Sequence, residues 1–524
     1  MTAVDEHAPT LVLPRVRVPA DDAVPPVDRW DRASPPTEPD GALAGRRQAL
    51  STLAWLLPTL VSAVLSLVRI TWPGLGPREL ATWGIATTPW DQAQRLVSAV
   101  DVAELPYLAL LRAWTAVAGT SDFALRAPSV IAVVGATAVV AVIGNRLAGP
   151  RVGIVAGLLF ATVPTTVRFA HEAGPPAIAL FATVLSGFAL LCFLDRPGWW
   201  RGTGYSLAVV LLGLAHVTAL VVVLAHGLVV WVMRRRLTGY WSLAAVVGAA
   251  PAIGLLVYRY PSWVGGSGGG MPGVEQLTSQ TFGSVLIGGV TIGLALLSVS
   301  AAREAVVFAV WALVPILLLL PLTEATSFQP TELLLLAVPG WVGLGALTLG
   351  RARMIRGLVA FVAVAALALP AHAQLRHTDG HGLASREAGA VLTAMVLPGD
   401  AIVFGPGLAD QRVGRDLVAR YVPADRRPRD VLLYAPPRTG GRIDAVECTD
   451  VTGCLARAPR VWLLRLGRPP GASVDDLSAT LDGFPAVKDG PLRVHYRIAQ
   501  VWPLTGLTLT LLTLMPTEPG VAGQ

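Results

Sequence analysis

Blocks of about 20 predominantly apolar residues, the length that crosses a bilayer as a helix, recur from Ser51 almost to residue 375, and no water-soluble core can absorb so many of them. They fall at 51–70, 124–145, 152–170, 176–194, 238–257, 283–300, 304–322, 331–349 and 356–374. The stretch 205–233 is harder to assign, because its 29 residues suit one long helix or two short ones meeting near His216, Val217 and Thr218. Flanking charge decides. Arg196 and Arg201 precede it, and Arg234, Arg235 and Arg236 come after it. Cytoplasmic loops retain Arg and Lys, so both groups lie inside only if the chain crosses twice. The expectation is an all-α polytopic membrane protein with about 11 transmembrane helices. Arg146, Arg151, Arg303, Arg351, Arg353 and Arg356 then fall inside, and everything after about residue 375 falls outside.

Composition agrees: 53% of the 524 residues are hydrophobic and only 14% charged, beyond what a soluble chain of this length tolerates. The formal charge of +7 comes almost wholly from arginine, with Lys488 the only lysine. It serves orientation in the membrane better than nucleic-acid binding, so no nucleic-acid partner is expected. The Arg-, Ala-, Gly- and Val-rich usage suggests a GC-rich bacterial genome and a bacterial plasma membrane.

Residues 1–50 are a different material, rich in Pro, Asp and Arg without apolar period, and read as a disordered cytoplasmic tail. Arg46 and Arg47 stand directly before the first span and set the N-terminus inside. The membrane domain is expected over 51–375, with a large first outer loop at 71–123. Residues 376–524 read as a small extracytoplasmic α/β domain, in which the short apolar runs DAIVFGP, DVLLYAPP and RVWLLRLG are buried strands between turns. Helical pieces are expected at 382–396 and 474–482. The closing TGLTLTLLTLMP is too short for a span and alternates Thr with Leu, so it reads as a strand. Cys448 and Cys454, six positions apart in the turn-rich VECTDVTGC, suit a disulfide in an oxidising compartment, the alternative being two reduced thiols. No His or second Cys pair stands near them at zinc-ligand spacing.

The segment 101–151 carries the functional signal. A short apolar helix at about 104–117, which suits an in-plane position better than a span, leads through SDFALRAPS into a true spanning helix. Asp101, Tyr107, Arg112, Trp114 and the run Ser121 to Ser129 resemble the outer-loop segment of bacterial GT-C glycosyltransferases, the family 39-like mannosyltransferase and dolichol-type group. FAHEAGPPAIALFA and LAHVTALVVVLAHGLVVW resemble later segments of the same family. The likeness runs from about Arg69 to the end of the membrane region. It implies a GT-C-like fold and transfer of a sugar, mannose or another hexose, from a polyprenyl-phosphate carrier to an extracytoplasmic glycan, lipid or protein. The departures lie at the site. Where the family has Asp-Glu in the first loop, this chain has Arg78-Glu79; the later Arg and Tyr become Gly174 and Pro176; an Arg-Tyr pair becomes Thr331-Glu332.

Such a transfer needs a carboxylate near the anomeric carbon to take the acceptor proton and positive charge for the leaving phosphate, from Arg, a metal or helix N-termini. The catalytic candidates are Glu79 and Asp101. Arg78, Glu104, Arg126, Arg168, His171 and Glu172 are the substrate-binding candidates. No cofactor is identified; a divalent cation is one way to meet the phosphate charge. Each residue also has a simpler reading: Glu79 a solvated loop acid, Asp101 a helix cap, Glu172 interfacial polarity, and the arginines snorkelling to headgroups. A non-catalytic protein of the same fold, binding a lipid-linked glycan or a partner enzyme, is the alternative function. A transporter is disfavoured, because no matching Gly/Pro-broken spans suggest repeated halves.

Overall fold

The computed structural model describes residues 41–97, 104–258, 273–298, 302–325, 330–352, 354–467 and 477–516. The first helix, α1 (Gly41–Leu67), begins ten residues earlier than the apolar pattern suggests, so the expected tail ends by Gly41; residues 1–40 lie outside the described residues. Three short helices come next, α2 (Pro77–Ala86), α3 (Trp90–Leu96) and α4 (Leu105–Ala118). They form the first loop.

The bundle continues with α5 (Asp122–Ala148), the pair α6 (Pro150–Thr162) and α7 (Pro164–Ala170), α8 (Pro175–Asp195), α9 (Trp199–Ala215), α10 (Val221–Arg234) and α11 (Thr238–Tyr258). Then come the pair α12 (Val274–Phe282) and α13 (Val285–Leu297), α14 (Arg303–Ala325), α15 (Val338–Arg351) and α16 (Met354–Leu375). Helix starts are written in the sequence: α2, α4, α6, α7 and α8 each carry Pro in the first turn, where its missing N–H costs nothing, and the Ser121 hydroxyl accepts from Ala124 N–H to cap α5.

By length and hydropathy seven helical stretches of the described residues can cross a membrane, or nine if the bent pairs α6–α7 (64°) and α12–α13 (88°) each count as one. The chain is a multi-pass membrane protein. The difference from eleven lies between Trp199 and Tyr258. Helix α9 has only 17 residues, and Val217–Tyr258 is a single helical run of 42 residues broken by a 3-10 turn at Arg235–Leu237. At 1.5 Å per residue that run is about twice a bilayer's hydrocarbon thickness. His216, in extended conformation, separates α9 from the 3-10 turn Val217–Leu220 that leads into α10. Tyr205 on α9 bonds His226 Nδ1 on α10 at 3.1 Å, and Trp241 Nε1 on α11 donates to the Tyr205 hydroxyl at 3.0 Å, so the three segments run side by side.

The main membrane core joins α5, α6, α8, α13, α14 and α15. One end of the bundle collects arginines. Arg146 bonds Asp195 there, and Arg351 bonds Glu304. The C-terminal portion caps the other end.

That portion contains α17 (Ser385–Met395), β1 (Ala401–Phe404), α18 (Leu408–Tyr421), β2 (Arg429–Asp430), β3 (Leu433–Ala435), β4 (Val446–Glu447), α19 (Val451–Leu455), β5 (Arg460–Leu466), α20 (Leu477–Thr480), α21 (Ala486–His495), β6 (Tyr496–Leu504) and β7 (Leu507–Leu514). The main sheet has the order β2-β1-β5-β7-β6, parallel across β2, β1 and β5 and antiparallel at β7 and β6. The Thr-Leu run is β7, a central strand. Its partner β6 and the helix α18 were not apparent from the sequence, because RIAQVW alternates imperfectly and LADQRVGRDLVARY is strongly charged. Cys448 and Cys454 are joined by a disulfide, with Cα atoms 6.7 Å apart. The portion has its own core under α19 and α21. Its other face is shared: Ile402, Phe404, Trp462 and Leu509 pack with Leu75, Leu80, Tyr107 and Leu111 of the first loop.

Candidate active site beneath the C-terminal domain

Helix α2 is N-capped by Gly76 and starts at Pro77, which puts Glu79 at the third helical position. From there a glutamate can reach back to the cap, and Oε2 accepts from Gly76 N–H at 3.0 Å. The same carboxylate takes two bonds of 2.8 Å from Arg126 on α5, Nε to Oε1 and Nη2 to Oε2. Ala173 N–H adds a bond to Oε1 at 3.0 Å, and His381 Nδ1 lies 3.2 Å from Oε2. Burial opposes ionisation of Glu79, but Arg126 and His381 more than offset it and hold the carboxyl well below the usual range. An acid this fully engaged has little capacity to take a proton, so its geometry suits positioning better than the base role expected from sequence.

Arg126 is equally committed. Besides Glu79, its Nη1 donates to the carbonyls of Ile70 and Pro73 and its Nη2 to that of Gly74. With none of its side chain exposed, it cannot also clamp a substrate phosphate, which corrects the expected binding role. His171 is corrected likewise: it is fully buried, and its Nε2 lies 2.9 Å from the Ser66 carbonyl.

Five of the expected residues do meet. Arg78, Glu79, Glu104, Arg168 and Glu172 line one cavity of about 240 Å³, together with Tyr107 and His381. Arg78 sits directly after Pro77 on the first turn of α2, and Glu104 stands at the N-cap of α4. Arg168, near the end of α7, bonds Glu172 through Nε at 2.8 Å, while the Glu172 carbonyl accepts from Ser129 Oγ at 2.7 Å. Burial lowers the Arg78 guanidinium from its usual value; Glu172 and Glu104 act to raise it and Arg168 to lower it further. It nevertheless remains a cation at any ordinary pH. The cavity wall thus carries two guanidiniums and three carboxylates, of which Glu79 is engaged with Arg126, at the end of the bundle that the C-terminal portion covers. Asp101 lies outside the described residues.

Two polar atoms of residues lining this cavity are buried without a hydrogen-bond partner among the described residues, the Tyr107 hydroxyl and His381 Nε2. Tyr107 stands in the matched loop segment, but sequence reasoning missed His381. It sits in the polar turn RHTDGHG with no motif around it, and it joins Glu79 only because the C-terminal portion folds back. That docking is specific: Asp122 at the start of α5 pairs with Arg386 at 2.8 Å and Arg420 at 2.6 Å, Ser385 Oγ donates to the Leu75 carbonyl at 2.9 Å, and the Tyr421 hydroxyl accepts from Leu75 N–H at 2.7 Å.

Among the described residues no three His, Cys, Asp or Glu side chains converge as a cation site.

The family described as dolichyl-phosphate-mannose-protein mannosyltransferase matches residues 106–258. Among solved structures, ArnT from Cupriavidus metallidurans bound to undecaprenyl phosphate superposes with a TM-score of 0.55 at 11% identity, covering 87% of this chain and 97% of that one. The apo state of the same protein gives 0.55 at 11%, covering 90% and 98%. No curated protein matches the sequence. The chain has a GT-C-like fold, with the cavity at the capped end of its bundle.

Proposed function

We propose that this protein is a membrane glycosyltransferase that moves a sugar from a polyprenyl-phosphate carrier to an acceptor hydroxyl on the extracytoplasmic side. The observation that carries the reading is the cavity in which Arg78 and Arg168 stand with Glu104 and Glu172 at the end of the bundle. Guanidiniums at that level can hold the phosphate of a donor whose lipid lies in the bilayer, and they favour the negative charge that develops as the sugar departs. The match over 106–258 and the fold shared with a protein bound to undecaprenyl phosphate support the same donor class. Mannose or another hexose is the sugar in this reading. The arginine-rich end of the bundle supports a cytoplasmic N-terminus and an extracytoplasmic C-terminal domain.

The alternative, a non-catalytic binder of lipid-linked glycan, is favoured by one observation: Arg78 replaces the acid expected in the first loop, and Glu79 is spent on Arg126. One experiment separates them. Membranes containing the protein are incubated with labelled polyprenyl-phosphate mannose, and label is followed into lipid, glycan and protein fractions. Transfer above that of protein-free membranes supports the enzyme; saturable binding of the donor without transfer supports the binder.

A further inference from the structure

The acid that the first loop lacks has a counterpart on the other side of the cavity. Arg126 has five N–H donors, and each has an acceptor: Nε–H the Glu79 Oε1, the two on Nη1 the carbonyls of Ile70 and Pro73, the two on Nη2 the Gly74 carbonyl and Glu79 Oε2. His381 Nδ1, at 3.3 Å, is the most distant of the three groups around Nη2, whose two hydrogens have closer acceptors in Glu79 Oε2 at 2.8 Å and the Gly74 carbonyl at 3.1 Å. A bare Nδ1 lone pair would also face the ionised Glu79 oxygen 3.2 Å away. A hydrogen on Nδ1, donated to Glu79, is the arrangement that suits the ionised carboxylate. This tautomer leaves Nε2 as a lone pair that no donor among the described residues fills, on a residue that lines the cavity.

We infer that His381 is the general base of the transfer, held in its tautomer and orientation by Glu79, so that the C-terminal domain completes the active site. The inference rests on the glycosyltransferase reading. The acceptor hydroxyl enters the cavity and binds Nε2; its oxygen attacks the anomeric carbon while the bond from that carbon to the phosphate oxygen breaks. The bonding pair leaves with the polyprenyl phosphate, beside Arg78 and Arg168. The hydroxyl proton passes to Nε2, and the imidazolium is stabilised by the Glu79 carboxylate, the arrangement of a carboxylate-oriented histidine base. The proton then leaves to the released phosphate monoester or to water, which restores the neutral ring.

The charged and titratable groups around His381 are Glu79 on α2, Arg126 on α5 and His171, whose ring centre is 6.4 Å away, with Arg78, Arg168, Glu104 and Glu172 on the cavity wall. The hairpin turn between β6 and β7 fixes the loop that carries the ring: Thr505 Oγ1 donates to Asp379 Oδ2 at 2.6 Å, and Ala384 N–H donates to the Thr505 carbonyl at 2.9 Å.

The test uses the full-length protein in lipid nanodiscs. His381→Asn retains an amide donor for Glu79 but removes Nε2. Undecaprenyl-phosphate affinity should stay at the wild-type level while transfer falls by about 10²–10⁴-fold, and the acid limb of the wild-type pH–rate profile should disappear. His381→Ala should be inactive and regain transfer with added imidazole, a rescue that a merely structural histidine would not show. Wild-type transfer rate with an unchanged acid limb in His381→Asn would overturn the assignment and leave the glycosyltransferase reading intact. A wild type that binds the carrier lipid but transfers from no polyprenyl-phosphate sugar would overturn both.

Discussion

Arg126 and Glu79 meet in a two-point ion pair at 2.8 Å and 2.8 Å, sealed from solvent, and this pair ties the first-loop helix α2 to the start of the spanning helix α5. Three further backbone carbonyls on Arg126 and two backbone N–H groups on Glu79 make the pair the hub of the loop. Such a pair holds the cavity wall in one geometry, because the remaining bonds of both groups are committed to the backbone and to His381.

Removing one member strands the other. Glu79→Gln leaves the Arg126 charge buried and should destabilise the protein by about 3–5 kcal/mol. Thermal unfolding of the protein in detergent or nanodiscs measures it; a variant with an unchanged midpoint would show that the pair is not the hub.

The same carboxylate gives an acid-sensitive contribution. Its folded value lies below the ordinary 4.5, so the stabilisation is fully present above about pH 5 and is lost as pH falls through the folded value. The stability gap between wild type and Glu79→Gln should be constant from about pH 8 to about pH 5 and narrow below about pH 4.5. A gap that widened on acidification would contradict the assignment of an ionised Glu79.

Arg78→Gln should weaken undecaprenyl-phosphate binding by about 10- to 100-fold, the loss typical of one charge-assisted bond. Arg126→Gln, by contrast, should act through stability. Equal lipid affinity in wild type and Arg78→Gln, measured by equilibrium binding, would remove Arg78 from the donor site.

Cys448 and Cys454 should resist a membrane-impermeant maleimide in intact cells until a reductant is added, and then both should label. Labelling confined to lysed cells would place the C-terminal domain on the cytoplasmic side.

Gly506 adopts φ +74 in the turn between β6 and β7, and a Cβ there would lie 2.0 Å from the Gly382 carbonyl oxygen. Gly506→Ala must both strain the turn, at about 1–2 kcal/mol, and push the neighbour of His381. Transfer should drop sharply while lipid binding is kept; an active Gly506→Ala would show that the loop tolerates displacement.

Much of the membrane architecture was legible because a bilayer makes the code simple: backbone groups must pair within the helix, and apolar length reports the crossing. The division of 205–233 at His216 came from arginine parity, and the break in the helix occurs at that residue. The short helix α4 was equally local. Five charged residues that line the cavity were candidates on the sequence too, since they stand in three segments compared with a known pattern, at 78–79, 104 and 168–172. Their division of labour was not legible. Arg126 looked like any interfacial arginine until its five donors could be counted, and a spent carboxylate reads the same as a free one in a sequence.

The chain's apolar spacing, Pro-initiated helices and arginine distribution determined by themselves that it is a polytopic membrane protein with a folded C-terminal portion, because these are properties of neighbouring residues in contact with lipid or water. Only the tertiary structure decided which charges neutralise one another and which face the cavity. Glu79, Arg126 and His381 lie on three segments separated by 47 and 255 positions, and whether each is reactive or structural depends on donors and acceptors counted across that space, which no local pattern encodes.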